Sequence, residues 1–473
     1  MCGVFGVLHI FSFNPPPASE ECVGASSMRN GVKAQAFAHI LQGLTILQHR
    51  GQDSAGIHTY DGTAVHKHIG LGKVEKVFEK CPQLAGNMGI GHVRYCTAGK
   101  VDIECAQPLG TNDRVSLVHN GNLTNADELR LILRQHDIQV STGSDSEVLL
   151  RVFNLAYKLN AKYCFSNERI FDAVNTVMTI CEGSYSVILM MPTVGLVAFR
   201  DPRGIRPLCF GQLESGGYAV ASESVAFTGT NTRDIQAGEC VIISDHEIVK
   251  KQIADNAIQN PCLFEYIYFA RPESTIDGIL VYQARKNMGE ALAVKMLREQ
   301  GDLVNAIDVV MPVPDSARIS ALRASYVLQK PYCEGLIKNN YVGRTFIMPS
   351  QTERKKSLKM KLNTIEQEFR DKTVLIIDDS IVRGNTSIQI IELIRKAGVK
   401  RIIFASIAPP VVDTNVYGIA IPTKEELIAA APNSDVVQIL GADELIYNTL
   451  DDVVAACRQI NPAITGFETS CFG

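Results

Sequence analysis

An imbalance of charge is missing from this chain of 473 residues: 46 Lys and Arg stand against 50 Asp and Glu, a net −4. A generic polyanion binder needs clustered positive charge, so no nucleic-acid partner is expected. Metal-ligand spacings are missing too. The 13 cysteines contain no CxxC pair, and their closest spacing is nine residues, Cys96 to Cys105. Zinc and iron–sulfur sites therefore lack support, and scattered thiols suit a reducing compartment better than a disulfide framework. No run crosses a membrane. The best, residues 185–199, is broken by Pro192 and Gly195 and falls short of the ~20 residues a span needs. The apolar amino terminus has no Lys or Arg before Arg29, so the charged start of a signal peptide is absent. A cytoplasmic protein without a membrane partner is expected. A GxxxxGK[ST] phosphate loop is also lacking, which weighs against a P-loop nucleotide site.

What is present is a globular composition, 46% apolar and 20% charged, long enough for two large domains or roughly three of about 150 residues. The first half mixes short β-type runs (87–92, 115–119, 184–191 and 194–200, the last two joined by a hairpin at Pro192-Thr193) with helical periodicity over 38–48, 127–136, 146–159 and 167–181. That grouping points to an α+β layered domain. The polar stretch 245–261 reads as a linker. Beyond it, continuous apolar runs at 309–313, 373–377 and 401–407 alternate with helical segments at 282–299, 316–329, 386–397 and 423–431. This is the texture of an α/β, doubly wound parallel sheet. Domains are expected over 2–247 and 262–473.

Cys2 is the most informative residue. Removal of Met1 would give one residue both a thiol nucleophile and, in its own α-amine, a base of reference pKa near 8. A lone Met-Cys start more often marks a packing cysteine, but four later segments change the balance: HRGQDSAG (49–56), GHVRY (91–95), HNGNL (119–123) and SDSE (144–147). Asn120 and the amide of Gly121 could stabilise a tetrahedral oxyanion. Arg94 could grip a carboxylate and Asp145 an ammonium. Singly, Asn-Gly reads as a turn, Asp145 with Ser144 as a helix cap, and Arg94 as a surface ion pair. Together with CGVFGV at residues 2–7, they resemble the glutaminase domain of the class II, N-terminal-nucleophile amidotransferases, over about residues 2–238. The resemblance implies an αββα sandwich. It also implies attack on glutamine by Cys2, an oxyanion held by Asn120 and Gly121, and substrate held by Arg94 and Asp145.

The second strong motif is VLIIDDSIVRGNTS (374–387). An apolar strand ends in two carboxylates, then a Gly-containing loop, then hydroxyls opening a helix. Loop amides and a helix N-terminus suit a phosphate, and Asp378 and Asp379 suit ribose hydroxyls or a nearby Mg²⁺. A plain strand-to-helix turn with an Asp cap is the simpler alternative. The segment resembles the phosphoribosyl pyrophosphate (PRPP) motif of type I phosphoribosyltransferases. That likeness implies ribose contacts at Asp378 and Asp379 and a phosphate cradle from Ser380, Ile381, Val382, Arg383 and Gly384 to Thr386. In the loop PVPDSAR (312–318) Ser316 is the expected third oxygen donor to Mg²⁺. Residues 341–361, with Tyr341 and Arg344, are expected to close over PRPP as a lid.

Glutaminase followed by phosphoribosyltransferase on one chain resembles the amidophosphoribosyltransferase family, which LFEYIYFARPES (263–274) and YVGRTFIMPSQ (341–351) also match. The likeness implies glutamine and PRPP as substrates, ammonia passed through a closed channel, feedback by inhibitory purine nucleotides, and a homo-oligomer, dimer or tetramer. Cys96 and Asn340 depart from the family pattern, and residues 11–37 look like an insertion. Cys262 matches one position of the iron–sulfur cluster some members carry, but Asn415 occupies another. No cluster and no propeptide are expected. Two alternatives remain: another class II amidotransferase, against which the PRPP motif speaks, and a non-catalytic nucleotide sensor, against which Cys2, Arg94, Asn120 and Asp145 speak.

Overall fold

The computed structural model describes residues 2–9, 35–95, 102–111, 115–160, 166–227, 229–339, 362–421, 423–430 and 433–473. The expected lid at 341–361, with Tyr341 and Arg344, lies outside these residues, as do Cys96, Asn340 and most of the expected insertion. The chain packs as two compact units. Unit 1 comprises Met1–Cys262 with two short excursions, Ser274–Gly278 and Val416–Ala420; unit 2 comprises Leu263–Glu273, Ile279–Asn415 and Ile421–Gly473.

In unit 1 the strands are β1 (Gly3–Leu8), β2 (Ser54–Tyr60), β3 (Val65–Leu71), β4 (Met88–Arg94), β5 (Leu109–Gly110), β6 (Ser116–Leu123), β7 (Gly183–Met191), β8 (Gly195–Arg200), β9 (Cys209–Leu213), β10 (Tyr218–Ala221), β11 (Gly229–Asp234), β12 (Glu239–Ile243) and β13 (Ile248–Gln252). They form a seven-stranded sheet, β11-β9-β10-β1-β4-β2-β3, and a six-stranded sheet, β13-β12-β8-β7-β6-β5. The period-two alternation of side chains sends Val4, Ile90 and Val220 of the first sheet and Val118, Ile188 and Val241 of the second into one shared core. The opposite face of the first sheet packs Phe5, Val7 and Val93 on helix α1 (Gln35–Ile46). The outer face of the second packs Leu117, Val187 and Phe199 on the helices Asp145–Leu159 and Asn167–Ile180. The layers run α, β, β, α. The polar stretch expected to be a linker instead contributes β13, an edge strand that pairs Ile248 with Ile243. Its polarity reflects an exposed edge.

Unit 2 holds parallel strands in the order Val309–Pro312, Thr373–Asp378, Arg401–Ser406, Glu444–Tyr447, and a parallel bridge adds Tyr332 beside Val310. In chain order this is 2-1-3-4-5, so the winding reverses between Val309–Pro312 and Thr373–Asp378. In open sheets of this kind ligands bind beyond the carboxyl ends of the strands at such a reversal. Among the described residues 423–430, the expected helix over 423–431 does not form. Ile428 donates its N–H to the Val382 carbonyl at 3.0 Å instead of to Lys424 in the same segment. Only single 3-10 turns form, Lys424–Glu426 and Ile428–Ala430, and the α-helix waits until Asn433–Leu440.

Candidate functional site

Unit 1 brings together Cys2, Arg94, Asn120, Gly121 and Asp145. Cys2 immediately precedes β1, which lies beside β4, whose last residue is Arg94. The Cys2 backbone N–H donates to Asn120 Oδ1 at 3.2 Å, and Cys2 Sγ lies 3.9 Å from the Tyr95 carbonyl oxygen. With its oxygen turned to Cys2, Asn120 leaves Nδ2 buried and without a partner among the described residues; Arg94 Nη1 is in the same condition. Buried donors without acceptors are costly and mark places where a ligand completes the bonding. Gly121 has φ +151°, and a methyl built on it would stand 2.0 Å from the Ser184 carbonyl oxygen. No other residue fits this point of β6, which is why the Asn-Gly pair lies within a strand and not in a turn. Ser144, not Asp145, caps the following helix, accepting the Ser146 N–H. Asp145 Oδ2 accepts the Leu123 N–H at 3.0 Å, which ties the helix start to β6.

Behind these groups lies a support that sequence reasoning missed. Glu223, fully buried, accepts from Arg50 Nη1 at 2.5 Å, His49 Nε2 at 2.7 Å and Ser274 Oγ at 2.7 Å. Arg50 Nε in turn donates to the Cys2 carbonyl at 3.0 Å. Burial pushes Glu223 upward, but the Arg50 charge and the His49 hydrogen bond outweigh it and hold the carboxyl well below the usual range. Arg50 stands inside a quoted motif, whereas nothing local marks Glu223, 173 residues further on. Gln107 and His119 make a second support: Gln107 Oε1 accepts the His119 N–H at 2.7 Å, and Ser146 Oγ bonds both Gln107 Nε2 and His119 Nδ1 at 3.0 Å. His92, fully buried against the His119 carbonyl, is pushed by burial down to about 3 and stays neutral.

In unit 2, Asp378 ends its strand and Asp379 opens the loop, both buried. Asp379 accepts from Ser316 Oγ on one oxygen and from Ser380 Oγ at 2.6 Å on the other, while Asp378 Oδ1 accepts the Asp379 N–H at 2.9 Å. Burial, then the neighbouring Asp379 charge, raises Asp378 well above the carboxylate range; burial raises Asp379 also, against the lowering bonds from Ser316 and Ser380. Two adjacent acids held this way need a cation or a proton. Among the described residues no group of three or more His, Cys, Asp or Glu stands ready to hold an ion alone. Two carboxylates with their hydroxyl neighbours suit Mg²⁺, which is commonly bound by one or two carboxylates plus water and substrate oxygens. Of the expected cradle, Ile381 sends its side chain into the core, so only its backbone can face a ligand. Val382 is tied through its carbonyl to Ile428, Arg383 pairs with Glu426 at 3.1 Å, and Gly384, φ +75°, begins the helix Asn385–Lys396 with Thr386 exposed in its first turn. In the loop before Arg318, Asp315 pairs with Lys338 at 2.5 Å and Arg318 at 3.3 Å. Asn415, in the expected cluster position, donates to Glu468 at 3.1 Å.

Family comparison matches a glutamine amidotransferase domain over residues 100–229 and a phosphoribosyl transferase domain over 279–415. The amidophosphoribosyltransferase of Escherichia coli (strain K12) is 48% identical over 453 residues, covering 92% of this chain and 88% of that protein. That of Schizosaccharomyces pombe is 45% identical over 466 residues, covering 93% and 87%. Among solved structures, glutamine PRPP amidotransferase from B. subtilis, complexed with ADP and GMP, superposes with TM-score 0.83 at 34% identity, covering 100% of this chain and 96% of that one.

Proposed function

The chain belongs to the amidophosphoribosyltransferase family, and on that premise we propose which of its residues carry the reaction. The enzyme releases ammonia from glutamine and transfers it to C1 of PRPP, giving 5-phosphoribosylamine, pyrophosphate and glutamate, the first step of de novo purine biosynthesis. Residues 2–247 carry the glutaminase and 262–473 the transferase.

Once Met1 is removed, the Cys2 α-amine takes the thiol proton and Sγ attacks the glutamine side-chain carbonyl. The oxyanion accepts from Asn120 Nδ2 and the Gly121 N–H. The amine then returns the proton to the departing nitrogen as the C–N bond breaks, and water cleaves the thioester to glutamate. Arg94 holds the substrate's α-carboxylate and Asp145 its α-ammonium. In the transferase site Asp378 and Asp379 meet the ribose hydroxyls. The backbone from Ser380 through Gly384, with Thr386, holds the 5′-phosphate, and Tyr341 and Arg344, which lie outside the described residues, are assigned to PRPP binding. As the nitrogen–C1 bond forms, the C1–oxygen bond breaks, pyrophosphate leaves with the bonding electrons, and one ammonia proton passes to water. Mg²⁺, held by Asp378, Asp379 and Ser316, would neutralise charge developing on the pyrophosphate. Purine nucleotides are expected to inhibit, because their ribose phosphate suits the same cradle. The functional form is a cytoplasmic homo-oligomer, dimer or tetramer.

One observation carries the glutaminase reading: the Asn120 amide, its oxygen on Cys2 and its nitrogen buried without a partner among the described residues. The test is Cys2→Ser. Glutamine-dependent synthesis should vanish while synthesis from high ammonia persists, and mass spectrometry of the wild type should show a chain beginning at Cys2. Equal loss of both activities, or survival of both, would refute the assignment.

A further inference from the structure

Unit 1 is not built only from the first 262 residues. The excursion Val416–Ala420 also belongs to it, and its contacts converge on one spot. The Val416 carbonyl accepts from Asn122 Nδ2 at 2.9 Å; the Tyr417 carbonyl accepts from Ser184 Oγ at 2.9 Å and from Arg206 Nε at 2.8 Å. Ser184 and Arg206 are both fully buried. Gly418, φ +92°, passes so close to β6 that a methyl on it would stand 3.0 Å from both the carbonyl carbon and the oxygen of Gly121. Asn122 follows Gly121, and Ser184 is the residue whose carbonyl forbids a side chain at Gly121. Residues 416–418 therefore bear on the peptide bonds flanking the proposed oxyanion donor from the side away from Cys2 in sequence.

We propose that the Tyr417–Gly418 backbone is a positioning element that fixes the Gly121 N–H for the tetrahedral intermediate; this rests on the assignment of Gly121 as an oxyanion donor. The physical case is one of restraint. A strand glycine has the widest backbone freedom, and an oxyanion donor is effective only where it is preorganised. Two partly buried hydrogen bonds, from the buried Ser184 and Arg206 to the Tyr417 carbonyl, and an exposed one from Asn122 to the Val416 carbonyl hold the segment, and the close approach at Gly418 transmits that placement to Gly121. The segment is bracketed by an ion pair of unit 2, Lys424 to Asp413 at 3.1 Å. The chain continues to Glu426 and Ile428, which hold Arg383 and Val382 of the proposed phosphate cradle. A single run of residues thus supports the oxyanion peptide and, ten residues beyond Gly418, the loop for PRPP.

The experiment compares Gly418→Ala and Ser184→Ala in the full-length enzyme, measuring glutamine-dependent and ammonia-dependent synthesis on the same samples. Gly418→Ala must push Gly121 aside, and a misplaced donor should lower glutamine kcat by about 10- to 100-fold. KM for glutamine and ammonia-dependent synthesis should change less than about twofold, because Arg94, Asp145 and the transferase site are untouched. Ser184→Ala adds no atom and should give a smaller fall of the same pattern, restored by Ser184→Thr if the hydroxyl reaches Tyr417. Unchanged glutamine kcat in either alanine variant overturns the proposal. If Gly418→Ala loses both activities, misfolding is indicated and Ser184→Ala alone decides. Cys2→Ser runs in parallel: survival of glutamine-dependent turnover there refutes the glutaminase assignment itself, whereas its loss together with silent alanine variants refutes only the positioning role.

Discussion

Replacing Glu223 by Gln should loosen the nucleophile's strand without touching the nucleophile. The carboxylate and the Arg50 guanidinium are both fully buried and 2.5 Å apart, and Arg50 keeps its charge at any working pH. Breaking a buried pair by removing one partner costs ~3–5 kcal/mol. Gln still accepts one hydrogen bond, so the lower end, about 3 kcal/mol, is expected, equivalent to a local opening more than about 100-fold more populated. Arg50 also holds the Cys2 carbonyl at 3.0 Å, so the opening should be read in β1. Hydrogen exchange of the β1 amides should accelerate by roughly that factor while the amides of Thr373–Asp378 stay unchanged. Glutamine-dependent turnover should fall with it. The pH dependence has a definite sign. Glu223 is held below its ordinary value of 4.5 by Arg50 and His49 in spite of burial, so its contribution is fully present above that value. It is lost only as pH falls through the lower folded one. The gap between variant and wild type should therefore persist down to about pH 5. Unchanged β1 exchange at neutral pH would refute the argument.

Three further outcomes can be checked. Asn120→Ala should lower glutamine kcat about 10²- to 10³-fold with KM nearly kept, as expected for loss of one oxyanion donor; a pure KM effect in steady-state kinetics would contradict that role. Asp378→Asn with Asp379→Asn should abolish PRPP binding in titration calorimetry yet leave the ligand-free protein as stable or more so in thermal melts. The raised acids favour folding below their unfolded pKa, and that contribution is lost as pH rises through the folded value. By the same shift, wild-type affinity for PRPP with Mg²⁺ should weaken as pH is lowered, since protonation competes with the ion; an affinity flat in pH would count against the site.

Much of this enzyme was legible in the order of its residues. Apolar runs of strand length gave β7, β8 and three of the parallel strands almost to the residue, because buried strands must be continuous or alternating in hydrophobicity whatever packs on them; the short strand Glu444–Tyr447 gave no such run. Cys2, Arg94, Asn120, Gly121 and Asp145 were singled out because the short motifs that carry them resemble a known glutaminase pattern, and motifs of that kind are local in sequence. Tertiary structure alone decided three things. It turned 423–431 away from helix, because Ile428 finds its acceptor in Val382 and not four residues back. It made five residues of the polar stretch 245–261, Ile248–Gln252, an edge strand, because β12 needed a partner and an edge admits lysines. It also placed Glu223, Ser274 and Tyr417-Gly418 behind the site. Local sequence encodes period, cap and turn, but a buried charge or a carbonyl is satisfied by whichever distant segment the fold delivers, and that choice is made only when the chain has closed on itself.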